Sequence, residues 1–271
     1  MRDIAPAHTT VDGVRVRYAD SAGPGADALL LSPWPESIYA YDRVWDRLAR
    51  HARLVALDLP GYGGSDLSDR YQSPEAMGAF VLRAVAALGL ETPHVVAPDV
   101  GTSAVLFAAA RQPDAFRSIV VGAGGVAAPV NVTGVLRSWV EESDPERYRD
   151  IDPARIVGPA LGTITGYTPP AAIREDYERS YADGRFAESI RYVQEYPRQL
   201  PRLAELLPRV TAPVRVVAGE ADAAVPAENS RFIGERVRGS RVDFITGAGH
   251  FCWEERPEEY ARLVTEWWAA H

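Results

Sequence analysis

The chain has 271 residues, 46% of them hydrophobic and 24% charged, with a formal net charge of −8. That balance describes a globular protein with room for one large α/β domain or two small ones. The acidic surplus argues against non-specific binding to nucleic acid or to anionic membrane, both of which need a basic face. The single cysteine, Cys252, leaves no internal disulfide and no cysteine-based metal cluster. The opening stretch MRDIAPAHTTVDG lacks the apolar core of a secretory leader, and no apolar run approaches the ~18 residues of a membrane span. A cytoplasmic protein is the expectation.

In chain order, strands alternate with helices. Residues 13–20 and 28–32 read as strands joined by a Gly/Pro turn, and 40–51 has helical spacing. Residues 53–61 form a strand running into a loop, and 73–89 a helix with Ser73 as N-cap, Pro74 in its first turn and Gly89 at its end. Then come a strand at 94–97, a tight turn at 97–101, a helix at 102–111 and a strand at 118–124. Strands at 214–219 and 241–247 and helices at 228–237 and 257–271 complete the alternation. Short, doubly apolar strands between helices predict a mostly parallel sheet covered on both faces. The interval from ~125 to ~211 breaks the pattern, with few strand signals and many Tyr, Arg and Glu. It is far too long for a loop in a compact domain, and we read it as a helical insertion over the carboxyl edge of the sheet.

A ligand site in such a sheet belongs at the carboxyl ends of the strands. Three segments converge there by order. HVVAPDVGTSAVLFAAA (94–110) places Asp99 in the sharp strand-to-helix turn, GEADAAVP (219–226) carries Asp222, and GAGHFCWEE (247–255) carries His250. Nucleophile, acid, histidine is the chain order of an α/β-hydrolase triad, with a carboxylate where a hydroxyl is usual. A carboxylate is poorly suited to acyl transfer, since attack on an ester gives a labile anhydride. It is well suited to displacement at saturated carbon, where it forms an ordinary ester. Asp99 also has a plainer reading as an N-cap for its helix, and Asp222 one as a turn residue. Cys252 reads as a packed thiol, Asp58 as a loop brace, and His8, His51, His94 and His271 as surface or loop residues. No metal-ligand spacing and no cofactor motif appears. GAGGVAAP (122–129) is discounted as a nucleotide site.

Four stretches, DLPGYGGSD (58–66), the elbow, GEADAAVP and GAGHFCWEERPEEY, together resemble the α/β-hydrolase superfamily over nearly the whole chain. The elbow Asp is similar to that of epoxide hydrolases and haloalkane dehalogenases, and SPWPESIYAYDRVW (32–45) resembles the epoxide-hydrolase stretch that begins His-Gly-x-Pro-Glu-Ser. The resemblance implies an eight-stranded, mostly parallel sheet, with a core at 1–124 and 212–271 and a helical cap at 125–211. It implies Asp99 as nucleophile, His250 as base, Asp222 as its partner, and the amides of Trp34 and Val100 as oxyanion donors. It also implies a substrate site walled by Trp34, Trp139 and a cap tyrosine, with Tyr192 first among Tyr148, Tyr167, Tyr177, Tyr181, Tyr192 and Tyr196.

Four positions depart from that pattern. Val100 stands where dehalogenases and many epoxide hydrolases carry Trp, Ser32-Pro33 replaces His-Gly, and Pro98 replaces the His before the nucleophile. The expected activity is opening of an epoxide on a hydrophobic, ring-bearing substrate, natural products included, through a covalent Asp99 ester. Three alternatives stand beside it. They are a non-hydrolytic tailoring enzyme with Asp99 as nucleophile or base, a haloalkane dehalogenase, and an inert binding protein. The expected partner is a small organic molecule, with homodimerisation left open.

Overall fold

The computed structural model describes residues 4–271, so the first three residues of the stretch read for a leader lie outside it. Eight strands form one sheet: β1 (Pro6–Val11), β2 (Val14–Asp20), β3 (Asp27–Leu31), β4 (Arg53–Leu57), β5 (His94–Pro98), β6 (Ser118–Gly122), β7 (Val214–Gly219) and β8 (Arg241–Ile245). Their order is β1-β2-β4-β3-β5-β6-β7-β8. β2 lies antiparallel to β1 and β4, and every other pair is parallel. Strands 118–124 and 241–247 of the sequence reading are thus shorter than expected, while 53–61 is a strand to Leu57 that runs into a loop, as read.

β1 carries no strand signal in the sequence. Five of its six residues are exposed or half-buried, so it shows no apolar alternation. The Asp12-Gly13 turn that pairs it with β2 has both residues at positive φ, 48° and 81°, the geometry of a two-residue hairpin.

β3 and β5 are sealed because helices cover both faces. The helix Val100–Arg111 is buried at every position except Arg111, which its run of Ala, Gly and Ser permits. Gly78 of the helix Pro74–Ala87 rests on it so closely that a Cβ there would meet the Ala104 carbonyl oxygen at 2.5 Å. Between β6 and β7 the described chain holds five α-helices and short 3-10 turns but no strand of the main sheet. Polar ties hold this insertion to the sheet. Arg17 of β2 bonds Asp58 at 2.5 Å and Asp176 of the helix Ala171–Ser180 at 2.6 Å, and Ser37 donates to the same Asp176. Arg185 donates to the carbonyls of Gly63 and Ser65. Asp58 also accepts from the amides of Ile38 and Gly64, and so braces its loop.

The glycines of 122–129 serve close packing. At Gly122 a Cβ would sit 1.9 Å from the Val217 carbonyl oxygen, and at Gly124 2.3 Å from that of Asp99. His94, expected at the surface, is instead buried on β5, with Nδ1 2.8 Å from Ser118 Oγ and its ring stacked on Trp268. Its burial holds the imidazole down to a pKa of about 4. No helix among the described residues is long and apolar enough to cross a membrane.

Two glycines should respond oppositely. Gly122→Ala forces β6 away from β7 and should cost about 3 kcal/mol or more. Gly158→Ala, in the helix Ala154–Leu161 with open space around it, should gain about 0.5–1 kcal/mol from helix propensity. Denaturant midpoints with unchanged slopes check both.

Candidate active site

The strand-to-helix turn is tighter than the sequence suggests. β5 runs to Pro98 and the helix starts at Val100, so the turn contracts to Asp99 alone, at φ 53° and ψ −124°. This is a region that non-glycine residues enter only where their surroundings over-determine them. The surroundings are visible. The Asp99 amide donates to Gly122 O at 2.9 Å, the Thr102 amide to Asp99 O at 2.9 Å, and Thr102 Oγ1 sits between the carbonyls of Ala97 and Gly122. The result lifts the Asp99 side chain clear of the sheet's carboxyl edge.

The loop after β3 brings the Trp34 amide to Asp99 Oδ2 at 2.6 Å, and the Val100 amide donates to the same carboxyl group. Oδ1 faces His250, whose Nε2 is 3.9 Å away. His250 Nδ1 lies 2.8 Å from Asp222 Oδ2, and Asp222 Oδ1 accepts from the amides of Ala224 and Val225, each at 2.9 Å. The structure therefore brings together Asp99, His250, Asp222 and the amides of Trp34 and Val100.

Asp99 is only 5% exposed. Burial raises its pKa to about 6, opposed by the charge of His250 and the two amides. Burial also opposes the His250 cation, but the charge and hydrogen bond of Asp222, helped by Asp99, override it and raise the imidazole to about 9. Asp222 is lowered: burial works against its charge, and His250 and the amides outweigh it. Near neutral pH the group rests as two carboxylates around one imidazolium.

Beside Asp99 the packing around Trp34 is aromatic. Trp34 meets Trp139 edge-on at 4.9 Å and stacks on Phe186 at 5.7 Å; Tyr148 meets Phe186 at 5.9 Å. Tyr192 lies close by, but its hydroxyl donates to Val100 O at 2.8 Å and sits 3.2 Å from Ser103 Oγ. Its proton is therefore committed to the backbone.

Sequence reasoning missed a second pair of acids behind His250. Glu36 accepts from Trp253 Nε1 at 3.1 Å, and its carboxyl hydrogen-bonds that of Glu254. Burial, then the negative charge of Glu254, pushes Glu36 well above the carboxylate range; burial raises Glu254 to about 8. Two such groups pack together only by sharing a proton. The signal was present as Glu36 in Pro-Glu-Ser and Glu254 four residues after His250, but nothing local pairs positions 218 apart. Cys252 is fully buried and burial raises its thiol pKa, so it packs as expected.

The description alpha/beta hydrolase family matches residues 24–263. The chain belongs to that family. An uncharacterised protein of Mycobacterium tuberculosis is 28% identical over 280 residues, covering 97% of this chain and 82% of the relative. Among solved structures, the epoxide hydrolase CorEH superposes with a TM-score of 0.84 at 19% identity, covering 99% of both chains. The haloalkane dehalogenase DatA from Agrobacterium tumefaciens C58 gives 0.82 at 18%, covering 98% and 96%. The eight-stranded, mostly parallel α/β-hydrolase sheet is the expected one.

The titrations predict a pH dependence of stability. His250 is raised in the fold, so its contribution is complete below about 6.5, its unfolded value, and is lost as pH rises through about 9. His250→Gln should flatten the decline in unfolding free energy between those values, as read from denaturant curves across pH.

Proposed function

We propose that the protein opens epoxides of hydrophobic, ring-bearing substrates through a covalent ester on Asp99, which His250 and water then hydrolyse. The observation that carries this reading is the asymmetric seating of the Asp99 carboxyl. One oxygen is held by the Trp34 amide, and the other faces His250 at 3.9 Å. A capping aspartate would accept from the second or third amide of its helix, Gly101 or Thr102, yet no such bond forms. The reading assigns Oδ1 as the attacking atom. Oδ2 becomes the ester carbonyl oxygen, already held by the Trp34 amide for the oxyanion of the second step. Loss of one such donor typically costs ~3 kcal/mol in the barrier.

The electrostatics suit two half-reactions. Asp99 attacks as the anion, which dominates above pH about 6. Alkylation removes its charge, and with it one of the influences raising His250. The imidazole is then better able to lose its proton and act as a base toward water. The helical stretch 125–211 serves as the cap: Trp139 and Phe186 cover Trp34, and apolar walls exclude bulk water, which strengthens a carboxylate nucleophile. The likeness to CorEH is consistent with this chemistry, though at 19% identity it speaks for the fold.

A second reading, displacement of halide, is favoured by one feature. Trp34 Nε1 is a buried donor with no partner among the described residues, as a halide site requires. Val100 supplies no second indole beside Asp99. We place epoxide opening first on that ground.

His250→Gln should accumulate the Asp99 ester when mixed with an aromatic epoxide, seen as the added mass on the peptide holding Asp99. Asp99→Ala should show neither adduct nor diol. Normal turnover by Asp99→Ala contradicts the covalent route. Bromide release from short bromoalkanes, with no diol from any epoxide, shifts the assignment to the second reading. In the unsubstituted protein the rate of Asp99 attack should fall about tenfold per pH unit below about 6 as Asp99 protonates.

A further inference from the structure

Behind His250 the chain makes a short helix, Cys252–Glu255, in which the amides of Glu254 and Glu255 donate to Phe251 O at 2.9 and 3.0 Å. This turn folds Glu255 back onto the residue before the histidine. Glu255 is buried, and its Oε2 accepts from the Gly249 amide at 3.0 Å. The same oxygen accepts from Thr165 Oγ1 at 2.5 Å. Thr165 belongs to the insertion, in the loop between the helices Ala154–Leu161 and Ala171–Ser180. We propose that Glu255 is a positioning residue for His250 and that Thr165 holds it in place, so that the seating of the insertion is felt at the imidazole. The proposal rests on His250 serving Asp99, and not on which electrophile Asp99 attacks.

A second contact reaches the same short helix. The Arg43 guanidinium lies 4.3 Å from the centre of the Tyr167 ring and donates to Glu254 O. Gly166, at φ 74°, turns the chain between Thr165 and Tyr167. The Gly249 peptide that Glu255 grips has little room. Its carbonyl oxygen lies where a Cβ on Gly219 would approach to 1.9 Å, and the Ala221 amide donates to Ala248 O at 2.8 Å. The histidine loop is thus clasped between the chain that leads to Asp222 and the Glu255 carboxyl. That clasp sets Nδ1 at 2.8 Å from Asp222 and Nε2 at 3.9 Å from Asp99. Glu255 Oε1 is buried without a partner among the described residues, so Oε2 carries both bonds. Glu255 acts by charge as well: burial opposes the His250 cation, while Asp222, Asp99 and Glu255 favour it. Without the Thr165 bond the carboxyl is free to turn toward water, where its grip on Gly249 and its field at His250 both weaken.

The test follows the His250 imidazole titration and the exchange of the Gly249 amide by NMR, the imidazole signal being assigned by its loss in His250→Gln. Thr165→Val should speed Gly249 exchange about tenfold, the cost of one hydrogen bond to a charged group, and lower the His250 midpoint. Thr165→Ser, which keeps the hydroxyl, should restore both. Glu255→Gln should lower the midpoint while keeping the shape of the side chain. Unchanged exchange and titration in Thr165→Val overturn the proposal. So does a Thr165→Ser protein that behaves like Thr165→Val, or exchange that quickens equally along β7, since the effect is then a general loosening of the fold. Both readouts are taken without substrate, so a missing Asp99 ester counts against the covalent reading alone.

Discussion

A carboxylate taken out of water remains an anion only where other groups replace the solvent's work. Asp99 meets that condition through two backbone amides and one imidazolium, and much of the local architecture follows from supplying them. The Trp34 amide requires the loop after β3 to turn over the sheet edge. The Val100 amide requires a helix that begins immediately after a strand, which in turn requires Asp99 to hold a positive φ. The imidazolium requires Asp222, presented after β7 with its second oxygen anchored by Ala224 and Val225. Removing any one of them shifts the carboxyl toward its protonated form or leaves a neighbour unpaired.

The same logic of compensated burial recurs farther out. Arg17 satisfies two buried or half-buried carboxylates and so links β2, the Asp58 loop and the insertion with one side chain. Asp58 in turn shapes the glycine loop that follows β4. Glu36 and Glu254, buried against each other, solve the problem by sharing a proton. The Arg17 cluster ties the insertion to the sheet, and Trp139 and Phe186 of the insertion pack on Trp34.

Much of this was legible in the sequence for a physical reason. Buried parallel strands leave uninterrupted apolar runs, and sharp turns leave small residues and prolines. The elbow, the Asp222 turn and the His250 loop therefore stood out, and each lies at a strand's carboxyl end where the sheet brings them together. β1 did not stand out, because a half-exposed edge strand shows no alternation. His94 was misread because its burial depends on Trp268, more than 170 positions away. The commitment of Tyr192 to Val100 O was equally hidden. Residue type announces that a hydroxyl exists, while only the packed structure shows whether its proton is already spent.

The central claim is that the oxygen entering the product comes from Asp99 rather than directly from solvent. It is tested most directly by a single turnover of an aromatic epoxide in water enriched in oxygen-18, with enzyme in excess. The account predicts an unlabelled diol and one heavy oxygen in the peptide that holds Asp99. A labelled diol and an unlabelled Asp99 would contradict it, and would make the carboxylate a base for water instead of the atom that forms the bond.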